Sequence, residues 1–362
     1  MTPRVSGDGG RKTRGFGFGI VGAGVISATH ADAIASIPGA RLVAVTDIEL
    51  ERATSLAERH DCAPEPSLDA LLARADVDVV SVCVPSGLHA GVGIRAAAAG
   101  KHLVVEKPVD VSLEAADRLI SAARAGAVLM TVISQHRFDD GLISLRRLLD
   151  DGALGRLVLG EASTKWYRSQ AYYDSAAWRG TWALDGGSLM NQGIHYLDLL
   201  LWCMGPVAEV TALFSTQTHQ IEVEDAALAV LRFASGAVGT VVASTAVFPG
   251  FAQRLEVSGT GGSVVIEDGE ITSRSVSADS AEGCAGRGVP PAAAATPAGL
   301  DIASHAAQIS DLLDAIDEGR QPSVTGADGR AALEVVLAVY ESAREGRTVK
   351  LPMMPHGQDS PS

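Results

Sequence analysis

Between residues 16 and 149, short β-rich runs alternate with longer helical ones, and few architectures can absorb that pattern. Apolar strands are expected over 16–21, 41–46, 77–84, 102–106 and 128–133, with helical runs such as 50–60 and 113–125 between them. Strands that are apolar on both faces need cover on both faces. With helical crossovers between them they give a parallel sheet, so this half reads as a doubly wound α/β domain.

After Gly155 the pattern changes. Strands expected over 157–164, 207–215, 226–233, 238–245, 253–258 and 263–266 follow one another, with turn signals at Ala234-Ser235-Gly236 and Gly259-Thr260-Gly261-Gly262. Consecutive strands of this kind predict an α+β domain with a large open, mainly antiparallel sheet. Helical runs over 303–318 and 328–345 close the chain. At 362 residues the chain exceeds one usual core. The expected division is a disordered tail over 1–15, a dinucleotide domain over 16–150, a substrate and oligomerisation domain over 151–350, and a C-terminal tail over 351–362. Residues 273–299 are dominated by Ala, Gly, Ser and Pro and predict a mobile loop.

The composition, 47% hydrophobic and 20% charged, is that of a globular chain. A net charge of −14 without a cluster of basic residues repels phosphate backbones and anionic lipid, so neither nucleic acid nor a membrane is expected as a partner. The four cysteines, at 62, 83, 203 and 284, are far apart and show neither a disulfide framework nor zinc-ligand spacing, so no metal is expected. They read as buried thiols of a reducing compartment. Lacking an apolar leader or a span-length apolar run, the chain is expected in the cytoplasm.

The first strand runs into Gly22-Ala23-Gly24-Val25-Ile26-Ser27, which has the form of a dinucleotide site. Gly22 permits the tight turn, and Gly24 lets a pyrophosphate reach the amides that open the next helix, those of Val25 and Ile26. Ser27 stands where a third glycine or alanine is usual; it is small enough for close helix–strand packing. Asp47 ends the second strand, where a carboxylate can accept from an adenosine ribose and repel a 2′-phosphate, which favours NAD over NADP. Each has a plainer reading, as a strand-to-helix turn or as a helix N-cap.

Two loops leave the carboxyl ends of strands in the same sheet, Pro85-Ser86-Gly87-Leu88-His89 and Glu106-Lys107-Pro108, and such sheets bind ligands at that edge. Lys107 is a candidate donor to a reacting oxygen, or else a solvated strand-end charge. Residues 185–198, DGGSLMNQGIHYLD, place Asn191 and His195 four apart at the start of an apolar helix, so that they share a face. His195 is a candidate general acid/base, or else a residue that caps or packs that helix.

These motifs together resemble the Gfo/Idh/MocA family of oxidoreductases, over nearly the whole chain: the glycine turn with Thr29-His30, PSGLH, EKP, and GG-x-L-x-N-x-G-I-H-x-x-D. The resemblance implies an N-terminal Rossmann domain, a C-terminal α+β domain whose open sheet serves in homodimer or homotetramer contacts, and NAD. It also implies a cofactor-contact set of Gly22, Gly24, Val25, Ile26, Asp47, Pro85, Ser86, His89, Glu106 and Lys107. Lys107 and His195 match the family's catalytic pair. The family often has aspartate where this chain has Asn191, and an amide cannot relay a proton, so His195 acts alone as base while Asn191 orients the substrate.

The run 165–182 holds three of the four tryptophans and three of the five tyrosines. Lys165, Arg168, Tyr172 and Arg179 within it suit a sugar ring carrying a carboxylate or phosphate; a structural aromatic cluster is the alternative. With the following motif it is similar to the branch that oxidises UDP-N-acetylglucosaminuronate at C3 with NAD. Related enzymes act in aminoglycoside pathways, and the basic residues, only five of 29 being lysine, hint at a GC-rich genome where such pathways are frequent. The expected activity is oxidation of a secondary ring hydroxyl of an amino sugar or uronate, nucleotide-linked or within an aminoglycoside. A keto-sugar reductase, an inositol dehydrogenase and a non-catalytic dinucleotide sensor are the alternatives.

Overall fold

A computed structural model of the protein describes residues 15–276 and 302–353. Cys284, the expected tails short of residue 15 and beyond 353, and most of the expected loop over 273–299 lie outside the described residues.

The first sheet is built from β1 (Phe16–Val21), β2 (Ala40–Thr46), β3 (Ala63–Glu65), β4 (Val79–Val82), β5 (His102–Val105) and β6 (Met130–Val132). Its order is β3-β2-β1-β4-β5-β6 and every pairing is parallel. The order reverses between β1 and β4, which opens the ligand crevice of a doubly wound sheet at their carboxyl ends. Helices α1 (Val25–Ser36), α2 (Leu50–Arg59), α3 (Leu68–Leu72), α4 (His89–Ala98) and α5 (Leu113–Ala125) provide the crossovers and cover. β3 was not expected; it is three residues long and contains Pro64, which suits only an edge.

Helix α6 (Asp140–Asp150) leads to the second sheet: β7 (Leu157–Lys165), β8 (Val207–Ser215), β9 (Ala226–Phe233), β10 (Val238–Ser244), β11 (Arg254–Gly259), β12 (Gly262–Glu267), β13 (Glu270–Val276) and β14 (Val349–Lys350). Its order is β13-β12-β11-β7-β10-β9-β8-β14, with β7 and β10 parallel and the other pairs antiparallel. β13 corrects the loop expected from residue 273, since Ser273 pairs with Val265 and Val276 with Gly262. Between β7 and β8 run α7 (Gln170–Asp174), a π-helical turn (Leu189–Gly193) and α8 (Ile194–Met204).

The last two helices, α9 (Ile302–Glu318) and α10 (Gly326–Glu345), tie the halves together. Ile309, Leu312 and Leu313 of α9 join the core formed by Phe18, Ile20 and Ile34. Gln308 accepts from Ser134 N and donates to Thr131 Oγ1 and Val132 O at the end of β6. Residues 302–318 thus pack with the first sheet, although they fall within the 151–350 segment. α10 lies between the sheets, with Val335, Val336 and Val339 in one continuous core with Val132, Val210 and Leu197.

Candidate active site

The glycine turn is held from three sides. Gly22 has φ +95°, and a Cβ there would lie 2.5 Å from Cys83 O of the neighbouring strand end, so glycine is required. Ser27 is buried and donates from Oγ to Gly22 O at 2.6 Å, so the residue that departs from the usual third glycine locks the turn. Asp47 accepts from Ala23 N at 2.6 Å and from Glu49 N at 2.8 Å; the N-cap of α2 is Glu49. Helix α1 begins at Val25, 79% exposed, with no side-chain cap at Gly24 and no acidic residue in its first turn, which leaves its amides free for an anion. A groove lined by Ala23, Gly24, Ala28, Arg52, Ser55 and Arg59 continues from this turn.

The second loop, a 3-10 turn over Ser86–Leu88 after Pro85, reaches across to the other half, where Gly87 N donates to Leu184 O at 3.3 Å. His89, expected among the cofactor contacts, is buried with Nδ1 2.7 Å from Pro108 O and Nε2 2.9 Å from Val84 O. It ties the PSGLH loop to the EKP loop and turns neither ring nitrogen toward the cleft. Glu106 is also buried. Its Oε1 lies 2.8 Å from His30 Nε2, and its Oε2 accepts from Lys107 N at 3.1 Å. Burial works against charge on both partners, but the Glu106 carboxylate and the Cys83 sulfur push His30 up to about 10, and His30 and Lys107 hold Glu106 well below the usual carboxylate range. A buried ion pair thus supports the strand end that carries Lys107.

Lys107, Asn191 and His195 come together. Lys107 Nζ donates to Asn191 O at 2.6 Å and lies 3.5 Å from Asn191 Oδ1. The Lys107–Pro108 peptide is cis. Lys107 and His195 line one small cavity with Ser134, Ile194 and Asp198, where the two halves meet. Burial lowers the Lys107 ammonium, while the charges of Glu106 and Asp185 raise it. Burial first, then the charges of Lys107 and His136, hold His195 well below its ordinary value, so at neutral pH it is an uncharged ring able to take a proton. Its ring meets that of His136 edge-on at 5.5 Å.

Asn191, expected at the start of the apolar helix, lies in a π-helical turn, and the α-helix proper begins at Ile194. It is anchored by Glu224, a buried carboxylate unforeseen in the sequence. Glu224 Oε1 accepts from Leu189 N at 2.8 Å and from Tyr340 OH at 3.1 Å, and burial pushes its carboxyl up to about 7. Asp198 pairs through both oxygens with Arg137, which fixes α8 to the loop after β6.

Of the aromatic run, Trp166, Arg168, Tyr172, Trp178 and Arg179 form a wall. Arg179 lies 4.2 Å from the Tyr172 ring centre and 4.5 Å from that of Trp178, and donates to Tyr172 OH at 2.6 Å. Arg168 stands over Trp166 and Tyr172 at 5.2 and 5.3 Å. The Nε atoms of both arginines and the Trp166 Nε1 are buried without a hydrogen-bond partner among the described residues, and both guanidinium charges reach Lys107. Three members of the run go elsewhere. Lys165, expected on the substrate, lies over the Phe251 ring at 5.3 Å; Trp182 packs edge-on against Tyr340; and Tyr173 is buried with its OH 2.7 Å from Thr245 Oγ1.

A dinucleotide crevice that opens onto a lysine, an amide and an uncharged histidine defines an NAD-binding oxidoreductase. Residues 16–134 match the family described as "Oxidoreductase family, NAD-binding Rossmann fold", and residues 142–265 match "GFO/IDH/MocA C-terminal domain". The chain belongs to the Gfo/Idh/MocA family. It is 30% identical to an inositol 2-dehydrogenase of Rhizobium meliloti (strain 1021), over 92% of this chain and 98% of that protein. Among solved structures it is similar to the WlbA dehydrogenase from Bordetella pertussis in complex with NADH and UDP-GlcNAcA, with 30% identity, a TM-score of 0.84 and coverage of 94% of this chain and 99% of that one. It is also similar to GenD2 from gentamicin A biosynthesis in complex with NAD, with 25% identity, a TM-score of 0.80 and coverage of 98% and 100%.

Proposed function

We propose that the protein oxidises a secondary ring hydroxyl, at C3, of an acidic amino sugar, and that the substrate is a nucleotide-linked uronate. Bound NAD supplies the hydride acceptor. The amides of Val25 and Ile26 at the start of α1 would hold its pyrophosphate beside Gly22 and Gly24, the remaining lone pairs of Asp47 would take a ribose, and the loops carrying Pro85, Ser86 and Glu106 would flank it. As hydride leaves the ring carbon, His195 takes the hydroxyl proton while Lys107 donates to the oxygen on its way to carbonyl. Asn191 orients that oxygen.

The observation that carries the substrate class is the pair of arginines around Tyr172, with buried and unpartnered Nε donors close to Lys107. A buried Nε donor without a partner is costly, and a carboxylate brings an acceptor that can take it together with a terminal nitrogen of the same guanidinium. An uncharged cyclitol is the second reading, favoured by the similarity to an inositol 2-dehydrogenase. The test is NADH formation from NAD with UDP-N-acetylglucosaminuronate, UDP-N-acetylglucosamine, free inositols and aminoglycosides offered side by side. Turnover of the uronate alone is expected, lost in Arg179→Ala through a KM raised about tenfold or more; turnover of inositol alone overturns the acidic reading.

Pairing of two copies through the outer face of the second sheet completes the reading. Leu213 and Leu228 stand side by side on that face at 73% and 52% exposure, and Val230 is next along β9.

A further inference from the structure

Asn191 leaves this chain without the carboxylate that its family often places beside the lysine, yet a carboxylate stands one hydrogen bond behind it. Asp185 is buried, 2% exposed. Its Oδ2 accepts from Gly180 N at 2.7 Å, and its Oδ1 accepts from Asn191 Nδ2. Asn191 Oδ1 in turn accepts from Gln192 Nε2 at 2.9 Å and faces Lys107 Nζ. With both amide ends engaged, only one orientation of Asn191 satisfies the network, the one that turns its oxygen toward the ammonium. We propose that Asp185 is the positioning residue of the site: it sets the direction of the Asn191 amide and supplies, from the next layer, the negative charge that keeps Lys107 protonated.

The charge balance around Lys107 supports this. The groups facing it are Glu106 on its own loop, Asp185 before the π-helical turn, His195 at the start of α8, and Arg168 and Arg179 in the wall. Glu106 is already engaged with His30 and the Lys107 amide. Two guanidinium groups and burial push the ammonium toward its neutral form; Glu106 opposes them from its own loop, and Asp185 is the second carboxylate that does so, from across the cleft. Its own carboxyl is raised by burial and pulled back by the Gly180 and Asn191 donors and by the Lys107 and Arg179 charges, which is the reciprocal of the same interaction.

The inference rests on Lys107 as the donor to the substrate oxygen, but its first test does not need turnover. The readout is the pH dependence of acetic anhydride labelling at Lys107 in the full chain, quantified on the peptide that contains it. In Asp185→Asn the labelling midpoint is expected to fall by about one pH unit, because the buried site loses an opposite charge. The exchange variant, Asp185→Asn with Asn191→Asp, restores the carboxylate on the neighbouring side chain and is expected to bring the midpoint back to the wild-type value or above. If turnover is present, the alkaline limb of kcat/KM moves with the labelling midpoint. A midpoint unchanged in Asp185→Asn, at wild-type melting temperature, overturns the proposal. If the single variant does not fold, the exchange variant decides alone, and a midpoint lower by a unit or more overturns the proposal. Loss of the Lys107 role would show separately, as turnover that survives Lys107→Ala.

Discussion

With His195 as the proposed general base, its ring is expected to set the site's response to acid. A general base works only while it is unprotonated, and burial together with the Lys107 and His136 charges holds this ring well below the ordinary histidine value. The acid limb of kcat/KM is therefore expected below about 6.5, the unperturbed histidine value, and a pH profile of NADH formation reads it directly. His195→Ala is expected to lower kcat by a factor of about 10² to 10⁴ with NAD affinity unchanged, checked by steady-state rates and by fluorescence titration with NADH. A variant that keeps its rate would take the general-base role away from His195. Lys107, Asn191 and His195 were legible as residues because each sits in a motif tied to a strand end or a helix start. Asp185 lies in the same motif and its role was not legible, because a carboxylate that acts through an amide is defined by distances across the loop. His89 misled for the related reason that its place in the PSGLH motif says nothing about which way the ring turns; both nitrogens meet carbonyl oxygens inside the protein.

At the scale of elements, the π-helical turn Leu189–Gly193 is where local structure and chemistry meet. Single-turn π segments occur at functional sites because the widened ring re-aims side chains that an α-helix would place elsewhere. This one survives because Glu224 binds its first amides, and Glu224 fits only because residue 187 is glycine. A Cβ at Gly187 would lie 1.4 Å from Glu224 Oε2. Gly187→Ala must displace that carboxylate, with an expected cost of about 1–3 kcal/mol, typical of an overpacked core, and a larger proportional loss in kcat than in NADH affinity. Thermal melts and NADH titration of the same preparation check both. The turn was invisible in the sequence because five residues are too few to set a π period apart from an α one. Most strands were legible from their apolar runs or two-residue alternation, as in β9, whose buried and exposed residues alternate from Ala227 to Phe233. The exceptions are edges. β3 is three residues with a proline, and β13 reads EITSRSV, too polar to stand out; their pairing partners define them, and partners are not written locally.

For the whole molecule, the two sheets are joined by helices from the end of the chain, which a reading in linear order assigns to the second half. α9 returns to the first sheet through Gln308, and α10 fills the space between the sheets, so the cleft holding Lys107 and His195 is braced by residues more than 100 positions beyond either. That bracing occupies the inner face of the second sheet, and among the described residues no helix covers its outer face. There the cross-strand register sets Leu213 beside Leu228 and Leu159 beside Val238, with Val230 between the two pairs at 57% exposure. Thr211, Thr240 and the Arg232–Glu209 pair share this face, and exposed apolar residues set among polar ones on a regular sheet suit pairing of two copies about a twofold axis. Light scattering is therefore expected to give a dimer or tetramer for the wild type. Val230→Glu puts a charge at the centre of that face, where pairing would desolvate it, and is expected to yield monomers. The substitution lies on the far side of the sheet from α8 and α10, so NADH affinity should persist in the monomer. A wild-type chain that scatters as a monomer would remove the pairing proposal, and a Val230→Glu chain that stays oligomeric would move the interface off this face.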